Sequence, residues 1–146
     1  MYNRNIVLFS GLLIAISISI TSCASFAPQE GELSFSRSAS EFEGSSSESI
    51  MEQLASDWLN SFVSIGINRK DKLDDYEIIH VEFISEEDNE LVALVSFSVK
   101  PILRNSNWIA GNGVLASDSW IRNKTIFLKV TMIDDVYYLE IIGTSL

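Results

Sequence analysis

The sequence has few of the residues on which most enzyme and metal sites depend. Its 146 residues include one cysteine, Cys23, and one histidine, His80. It contains neither the Gly-x-Ser-x-Gly pattern around a nucleophilic serine nor a glycine-rich phosphate loop. A zinc site with the usual nitrogen and sulfur ligands would need more of both residue types. We therefore expect no cofactor and no metal, and a Ser-His-Asp arrangement would have to use His80.

Basic residues are also scarce, with 10 Lys and Arg against 20 Asp and Glu and a net charge of −10. Binding to nucleic acid requires a basic patch, and the nearest candidate, residues 69–72, is interrupted by Asp71. The acidic run at 86–90 lacks the spaced ligands and central glycine of an EF-hand, so it is typical of a solvated turn. This composition excludes nucleic acid as an expected partner.

The first 23 residues, by contrast, carry a clear pattern. A short polar start with Arg4 precedes the uncharged apolar run Ile6–Ile20, and two small residues and Cys23 follow. This layout is typical of a secretory signal, and its end, Ile20-Thr-Ser-Cys23, resembles the lipobox of bacterial lipoproteins. The resemblance implies a signal peptide of residues 1–22. It also implies a mature chain that begins at Cys23, whose thiol carries a diacylglycerol and whose amine is often acylated, as with palmitate.

Two other interpretations of this segment remain open. Ser22-Cys-Ala24 also fits the cleavage site of an ordinary secretory signal, and Ile6–Ala24 approaches the roughly 20 residues of an uncleaved membrane-spanning helix. The lipobox interpretation places the protein at the cell membrane, lipid-anchored and facing outside the cytoplasm. It also uses the single cysteine, so the mature domain would have no disulfide.

The rest of the chain divides into a tether and one domain. Residues 23–48 are rich in Ser and Glu, and their apolar residues are isolated. Such a segment buries too little apolar surface to offset its chain entropy, so it is predicted to be a flexible tether. Residues 49–146 are close to the commonest domain size.

Residues 49–146 show first a helical and then a strand-like pattern. Ser49 and Glu52 fit a capping box, and apolar pairs recur every four residues as far as Val63, which predicts a helix. Alternating strands are predicted at 76–85, 91–100, 120–132 and 136–142. The sequence therefore predicts an α+β domain, with one N-terminal helix packed on a curved four-stranded antiparallel sheet.

The sheet face opposite the helix is predicted to mix apolar and polar side chains, which is typical of a partner or ligand surface. On the first strand, alternation puts Ile79, Val81 and Phe83 on one side and Ile78, His80 and Glu82 on the other. Another possibility is that the long connection covers this face. Its other expected members are Val92, Leu94, Ser96, Ser98, Thr125, Phe127, Lys129, Tyr138, Glu140 and Ile142.

The connection at 101–119 is unusually long for a compact domain, and such loops are often functional. Its Asn and Gly residues allow tight turns, and Trp108 within it and Trp120 just after it offer large contact areas. They could bind a partner, or they could fold back and close the open end of the sheet. The candidate partner or ligand surface comprises Asn107, Trp108, Asn112, Trp120, Phe127 and Tyr138.

Three stretches resemble a small C-terminal domain of lipoproteins and membrane-anchored proteins from Gram-positive bacteria. They are Asn107-Trp-Ile-Ala-Gly-Asn-Gly113, Trp120-Ile-Arg-Asn-Lys-Thr125 and Ile142-Gly-Thr-Ser145, within about residues 76–145. The plan of helix and curved sheet is similar to the cystatin-like and nuclear-transport-factor-2-like folds. Because these folds host both enzymes and binding modules, the resemblance implies a fold and a membrane context but no activity.

These observations favour a binding or interaction module, anchored to the membrane through Cys23, whose partner is a protein or a small ligand. They do not favour an enzyme. One alternative is an inhibitor or immunity-type lipoprotein that blocks an envelope enzyme. Another is a small enzyme that uses a sheet cavity, with His80 and either Glu82 or Glu140 as acid and base.

Overall fold

The computed structural model describes residues 35–144, so the lipobox-like segment, Cys23 and the first part of the expected tether lie outside the described residues. The described chain is an α+β fold with one α-helix and a curled antiparallel sheet, as the sequence predicts. In chain order its elements are β1 (Ser36–Ser38), a 3₁₀ turn (Ala39–Phe42), α1 (Ser47–Ser61), β2 (Leu73–Glu87), β3 (Glu90–Pro101), a second 3₁₀ turn (Asn107–Ile109), β4 (Val114–Leu115), β5 (Ile121–Ile133) and β6 (Val136–Gly143).

The sheet formed by residues 35–144 has six strands, so the expected number of four is wrong. The strand order is β1-β6-β5-β3-β2, and β4 pairs with β5 at one end. The two additional strands are three and two residues long, which is too short for an alternating pattern to reveal. The predicted hairpins β2–β3 and β5–β6 are confirmed. In the second hairpin, Asp134 and Asp135 both have positive φ, as a type I′ turn requires.

Part of the segment before residue 49, which the sequence analysis assigns to the tether, pairs with the sheet and packs on the core. Ser36 pairs with Tyr138 across β1 and β6. Phe42 is 4% exposed and packs edge-on against Tyr137, with 5.6 Å between the ring centroids. The segment around Phe42 has no apolar run of its own. The apolar surface that buries the Phe42 side chain comes from the sheet edge.

Helix α1 begins at Ser47 because Ser46, and not Ser49, is its N-cap. The Ser46 hydroxyl accepts a hydrogen bond from the backbone N–H of Ser49 at 3.3 Å. The predicted apolar stripe is confirmed, since the buried residues of α1 are Ile50, Met51, Leu54, Ala55, Trp58 and Leu59. Within residues 35–144, no helix is both long and apolar enough to cross a membrane.

The core lies between α1 and one face of the sheet. Each large aliphatic or aromatic side chain buried there contributes about 1.5–3 kcal/mol relative to an exposed one. The sheet supplies alternate residues of its central strands, namely Leu91, Ala93, Val95, Phe97, Val99, Ile126, Leu128 and Val130, together with Leu139 of β6.

A bulge in β2 changes which face two isoleucines occupy. The register of β2 against β3 shifts between Ile78 and His80. Ile78 pairs with Phe97 and packs on the core, whereas Ile79 is 53% exposed. The predicted alternation is therefore wrong for these two residues, because one extra residue in a strand reverses the faces on one side of the bulge.

Candidate functional site: a groove beside a buried lysine

A bulge in β5 turns the side chain of Lys124 into the protein. Lys124 pairs with Phe97 of β3, and Ile121 pairs with Val99. Between these two pairs, two residues of β5 lie opposite one residue of β3. The second of the two, Asn123, has a φ of 59°, a conformation that asparagine tolerates better than most residues. Because of the extra residue, Ile121 and Lys124 both point to the helix-covered side of the sheet, and Lys124 is 1% exposed.

Three backbone carbonyls of the connection between β3 and β5 hold the Lys124 ammonium. Nζ donates to the carbonyl oxygens of Trp108 at 3.0 Å, Ala110 at 3.1 Å and Asn112 at 2.7 Å. An ammonium has three protons, so each of them meets an acceptor. Burial lowers the pKa of Lys124 to about 8, and the charged form still predominates at pH 7. We call residues 108–112 the carbonyl collar.

Gly113 allows the chain to approach Lys124 this closely. Its φ is +102°, and a Cβ at this position would lie 2.8 Å from Cγ of Lys124 and 3.1 Å from the carbonyl oxygen of Arg122. Glycine adopts such a φ without a steric penalty and has no Cβ to collide with its neighbours. The backbone conformation just after the collar therefore requires a glycine at position 113.

Further hydrogen bonds attach the connection to the domain on both sides of the collar. The Asn112 side chain donates to the carbonyl oxygen of Thr125 at 2.7 Å and accepts from the N–H of Thr125 at 3.1 Å. Nε1 of Trp108 donates to the carbonyl oxygen of Asp71 at 2.6 Å, and Nδ2 of Asn107 donates to the Asp71 carboxylate at 2.6 Å. The polar side chains that the sequence analysis assigns to a binding surface thus stabilise the loop itself.

Trp108 closes one end of the core. Its side chain is fully buried and contacts Trp58, Phe62 and Phe97, with ring centroids 5.9, 5.0 and 6.2 Å apart. These tilted and edge-on arrangements are favourable for aromatic pairs. Of the two interpretations of this tryptophan, the structure has the one in which it folds back and closes the sheet.

Outside the collar, the same connection forms a groove of about 380 Å³. Its walls come from residues 101–104 at and just after the end of β3, from Ile109 of the collar, and from Leu115, Ala116, Ser117, Ser119 and Ile121. Three of its large apolar side chains are exposed, namely Ile102 (39%), Ile109 (42%) and Leu115 (55%). The volume falls within the roughly 300–1,000 Å³ of ordinary small-molecule sites. We call this cavity the loop groove.

Arg104 is the charged residue that lines the loop groove. Among residues 35–144, its guanidinium forms no ion pair and no hydrogen bond with another side chain. Arg122 lies nearby but does not line the groove. It donates to the Asp118 carboxylate at 2.7 Å and lies over the Trp120 ring at 5.6 Å. Within residues 35–144, Arg122 therefore has an acidic partner, whereas Arg104 has none.

The sheet face opposite α1, which we call the open face, is a second candidate surface. Cross-strand pairing places Leu94 between Glu82 and Phe127. Lys129 forms ion pairs with Glu140 at 3.2 Å and with Glu90 at 3.7 Å. The large apolar side chains exposed here include Tyr138 (40%), Ile142 (49%) and Ile133 (53%).

The six residues of the expected surface do not lie together. The structure places Asn107, Trp108 and Asn112 in or beside the collar, Phe127 and Tyr138 on the open face, and Trp120 in a half-buried position just before β5. The groove residues Ile102, Arg104 and Leu115 were missed. The sequence signal for these residues was the high apolar content of the loop, but its tryptophans and asparagines were the more conspicuous candidates for binding.

His80 lies exposed on β2 and lines neither the loop groove nor the small cavity beside the start of α1. Glu82 shares its face, but Glu140 on β6 is three strands away, about 14 Å at the usual strand spacing. His80 and Glu140 therefore do not form an acid–base pair. In the part of the chain that the structure describes, no group of three or more His, Cys, Asp or Glu residues could hold a metal ion.

Comparisons of the chain with models of protein families, with curated proteins and with solved structures found no match. The function is therefore argued from the collar, the loop groove and the open face.

Proposed function

We propose that this protein is a binding module held at the outer side of a bacterial membrane by lipid on Cys23, and that its open face receives a partner protein. The anchor rests on the sequence pattern of residues 1–23. The observation that carries the proposal is the set of apolar side chains, including Tyr138 and Ile142, on a sheet surface that α1 leaves exposed.

The open face differs from the solvated face of an ordinary antiparallel sheet. Such a face normally carries polar residues in alternation with the buried ones. Here Leu94 of β3 lies directly opposite Phe127 of β5, at positions where a solvated face would carry polar residues. Phe127 in turn lies opposite Gly143, which has no side chain to cover the ring. Apolar side chains gathered in this way are typical of a protein contact surface.

The charges on and around this face indicate the chemistry of the partner. Lys129 is already neutralised by Glu140 and Glu90, which leaves Glu82 as a negative group beside Leu94. The whole chain has a net charge of −10. We therefore expect the partner to present an apolar patch with a basic rim, because complementary charges guide association and exclude wrong partners.

Crosslinking in membranes tests this proposal. The full-length wild type, the double variant Tyr138→Ser/Ile142→Ser and the control Ile65→Ser are crosslinked, and their neighbours are identified by mass spectrometry. Ile65 is 98% exposed in the turn after α1, so the control removes an even more accessible apolar side chain elsewhere. We expect the partner's yield to fall at least tenfold in the double variant and to stay within twofold in the control. Equal yields from all three proteins, with unchanged thermal unfolding, would contradict the proposal.

The anchor has its own test. Mass spectrometry of the protein extracted from membranes should find an N-terminal Cys23 that carries a diacylglycerol. An intact residue 1, or an unmodified Cys23, would show that the protein is held in another way.

A further inference from the structure

The loop groove is independent of the open face and has the features of a small-molecule site. It lies between the two ends of the connection and is not part of the sheet surface on which Phe127 lies. Its volume of about 380 Å³ is large enough for a small organic ligand. A ligand there would cover exposed parts of Ile102, Ile109 and Leu115, whose burial is the main favourable contribution to such binding.

The groove is held in shape before any ligand arrives. Ile109 lies between two collar residues whose carbonyls accept from Lys124. On the other wall, Ala116 and Trp120 are joined by a backbone hydrogen bond of 2.7 Å. A wall that is already ordered loses little conformational freedom on binding, so more of the contact energy becomes affinity.

The charge of the groove selects an anion. Arg104 is the charged lining residue, and no acidic side chain of residues 35–144 pairs with it. The chain as a whole is strongly acidic, but the charged residue that lines this groove is basic. One guanidinium binds one carboxylate through two parallel hydrogen bonds. A doubly charged phosphate would bind more tightly with more than one cation beside it, and the groove lining contains no second cationic residue.

We propose that the loop groove binds a small monocarboxylate with an apolar body. The carboxylate pairs with Arg104, and the apolar body lies against Ile102, Ile109 and Leu115. Two hydroxyls of the lining, those of Ser117 and Ser119, lie beside the same groove and complete its polar rim.

Photolabelling of the full-length protein in membranes tests this site. The probe is a diazirine-bearing analogue of decanoic acid, and the labelled residues are identified by mass spectrometry of peptides. A decanol analogue with the same diazirine is the matched probe without the charge. We expect labelling of the peptides that contain residues 101–109 and 114–121, and we expect at least tenfold less from the alcohol.

Three variants separate the site from its surroundings. Arg104→Gln removes the anion partner, and Leu115→Gln removes an exposed part of the apolar wall. Each should reduce labelling by the acid at least tenfold, and since both side chains are exposed, the fold should persist. Arg122→Gln is the control, because that arginine does not line the groove, and its labelling should stay within twofold of the wild type.

Several outcomes would overturn the proposal. These are equal labelling by acid and alcohol, labelling confined to residues outside the groove, and an equal loss in Arg104→Gln and Arg122→Gln. Stronger competition by decyl phosphate than by decanoate would replace the carboxylate with a phosphate ligand and would also overturn it.

Discussion

Strand β5 supplies both the lysine that the carbonyl collar holds and part of the open face, and the collar and the open face differ in how firmly the surrounding structure holds them. Lys124 points inward and donates three hydrogen bonds to the collar. Phe127, three residues later, points outward and is half-buried on the open face. Asn112 and Trp108 bond to or pack on the domain, whereas Tyr138 and Ile142 leave much of their surface exposed. The difference indicates that the collar is part of the structural framework, and the proposed binding is therefore assigned to the surfaces around it.

The largest effect on this comparison should come from Trp108→Ala. Removing a fully buried tryptophan costs about 3–5 kcal/mol of the free energy of unfolding, measured by denaturant titration. Trp120→Ala is the matched control, because Trp120 is half-buried, and its loss should be less than half as large. Equal losses would mean that Trp108 is no more part of the framework than Trp120.

Removing the ammonium tests the collar directly. Lys124→Met keeps an unbranched side chain but leaves three carbonyls without their donor, and we expect a loss of about 2 kcal/mol at pH 7. Lys129→Met on the open face removes an exposed ion pair, so its loss should be smaller. If Lys124→Met is as stable as the wild type, the collar does not depend on the hydrogen bonds that Lys124 donates.

The same lysine predicts a dependence of stability on pH. Its pKa is lowered in the folded protein from 10.5 to about 8, so between these values the unfolded chain binds more protons than the folded one. The free energy of unfolding should therefore rise with pH across this window and lose that contribution as the pH falls through 8. Relative to Lys124→Met, the wild type should gain about 2 kcal/mol between pH 7 and pH 9.5. A flat difference would show that the pKa of Lys124 is not lowered.

Two glycines provide a test with almost the same backbone angle. Gly113 and Gly66 have φ of +102° and +100°, but an added Cβ meets Lys124 at the first and nothing within 4 Å at the second. Gly66→Ala should cost about 1 kcal/mol through backbone strain alone. Gly113→Ala should cost at least about 1 kcal/mol more, because the collar must also shift. Thermal and denaturant unfolding of both variants would measure the difference, and equal losses would count against close packing at Gly113.

The smallest effect is expected on the open face. Ile142 is 49% exposed, so Ile142→Thr should change the free energy of unfolding by less than about 1 kcal/mol, measured by denaturant titration. A larger loss would mean that this side chain belongs to the framework of the domain. The contrast between the two regions would then disappear.

Much of the fold could be predicted because its signals are local. The apolar residues of β3 alternate from Leu91 to Val99, and that period alone predicts which face is buried. The turn at Asp134 and Asp135 needs only two residues that tolerate positive φ. The position of Ile78 could not be read in this way, because the bulge that follows it depends on pairing with β3.

The site was much harder to predict than the fold. Asn107 and Trp108 have the residue types of a binding loop, and their roles are decided by contacts with Asp71, 36 and 37 residues earlier. Lys124 has the same parity in β5 as Ile126 and Leu128. A charged residue at an inward position is unexpected until its acceptors are known, and these come from backbone atoms, whose positions no residue type reveals.

The sequence by itself determined the α+β class, the helical stripe, the long strands and their hairpins, because each depends on residues that are close along the chain. It also carries the lipobox-like pattern on which the proposed anchor rests. The tertiary structure alone decided the burial of Lys124, the closure of the core by Trp108 and the existence of the loop groove. Each of these requires segments far apart in the chain to meet, and the energy of a buried charge or an exposed apolar wall depends on what they meet.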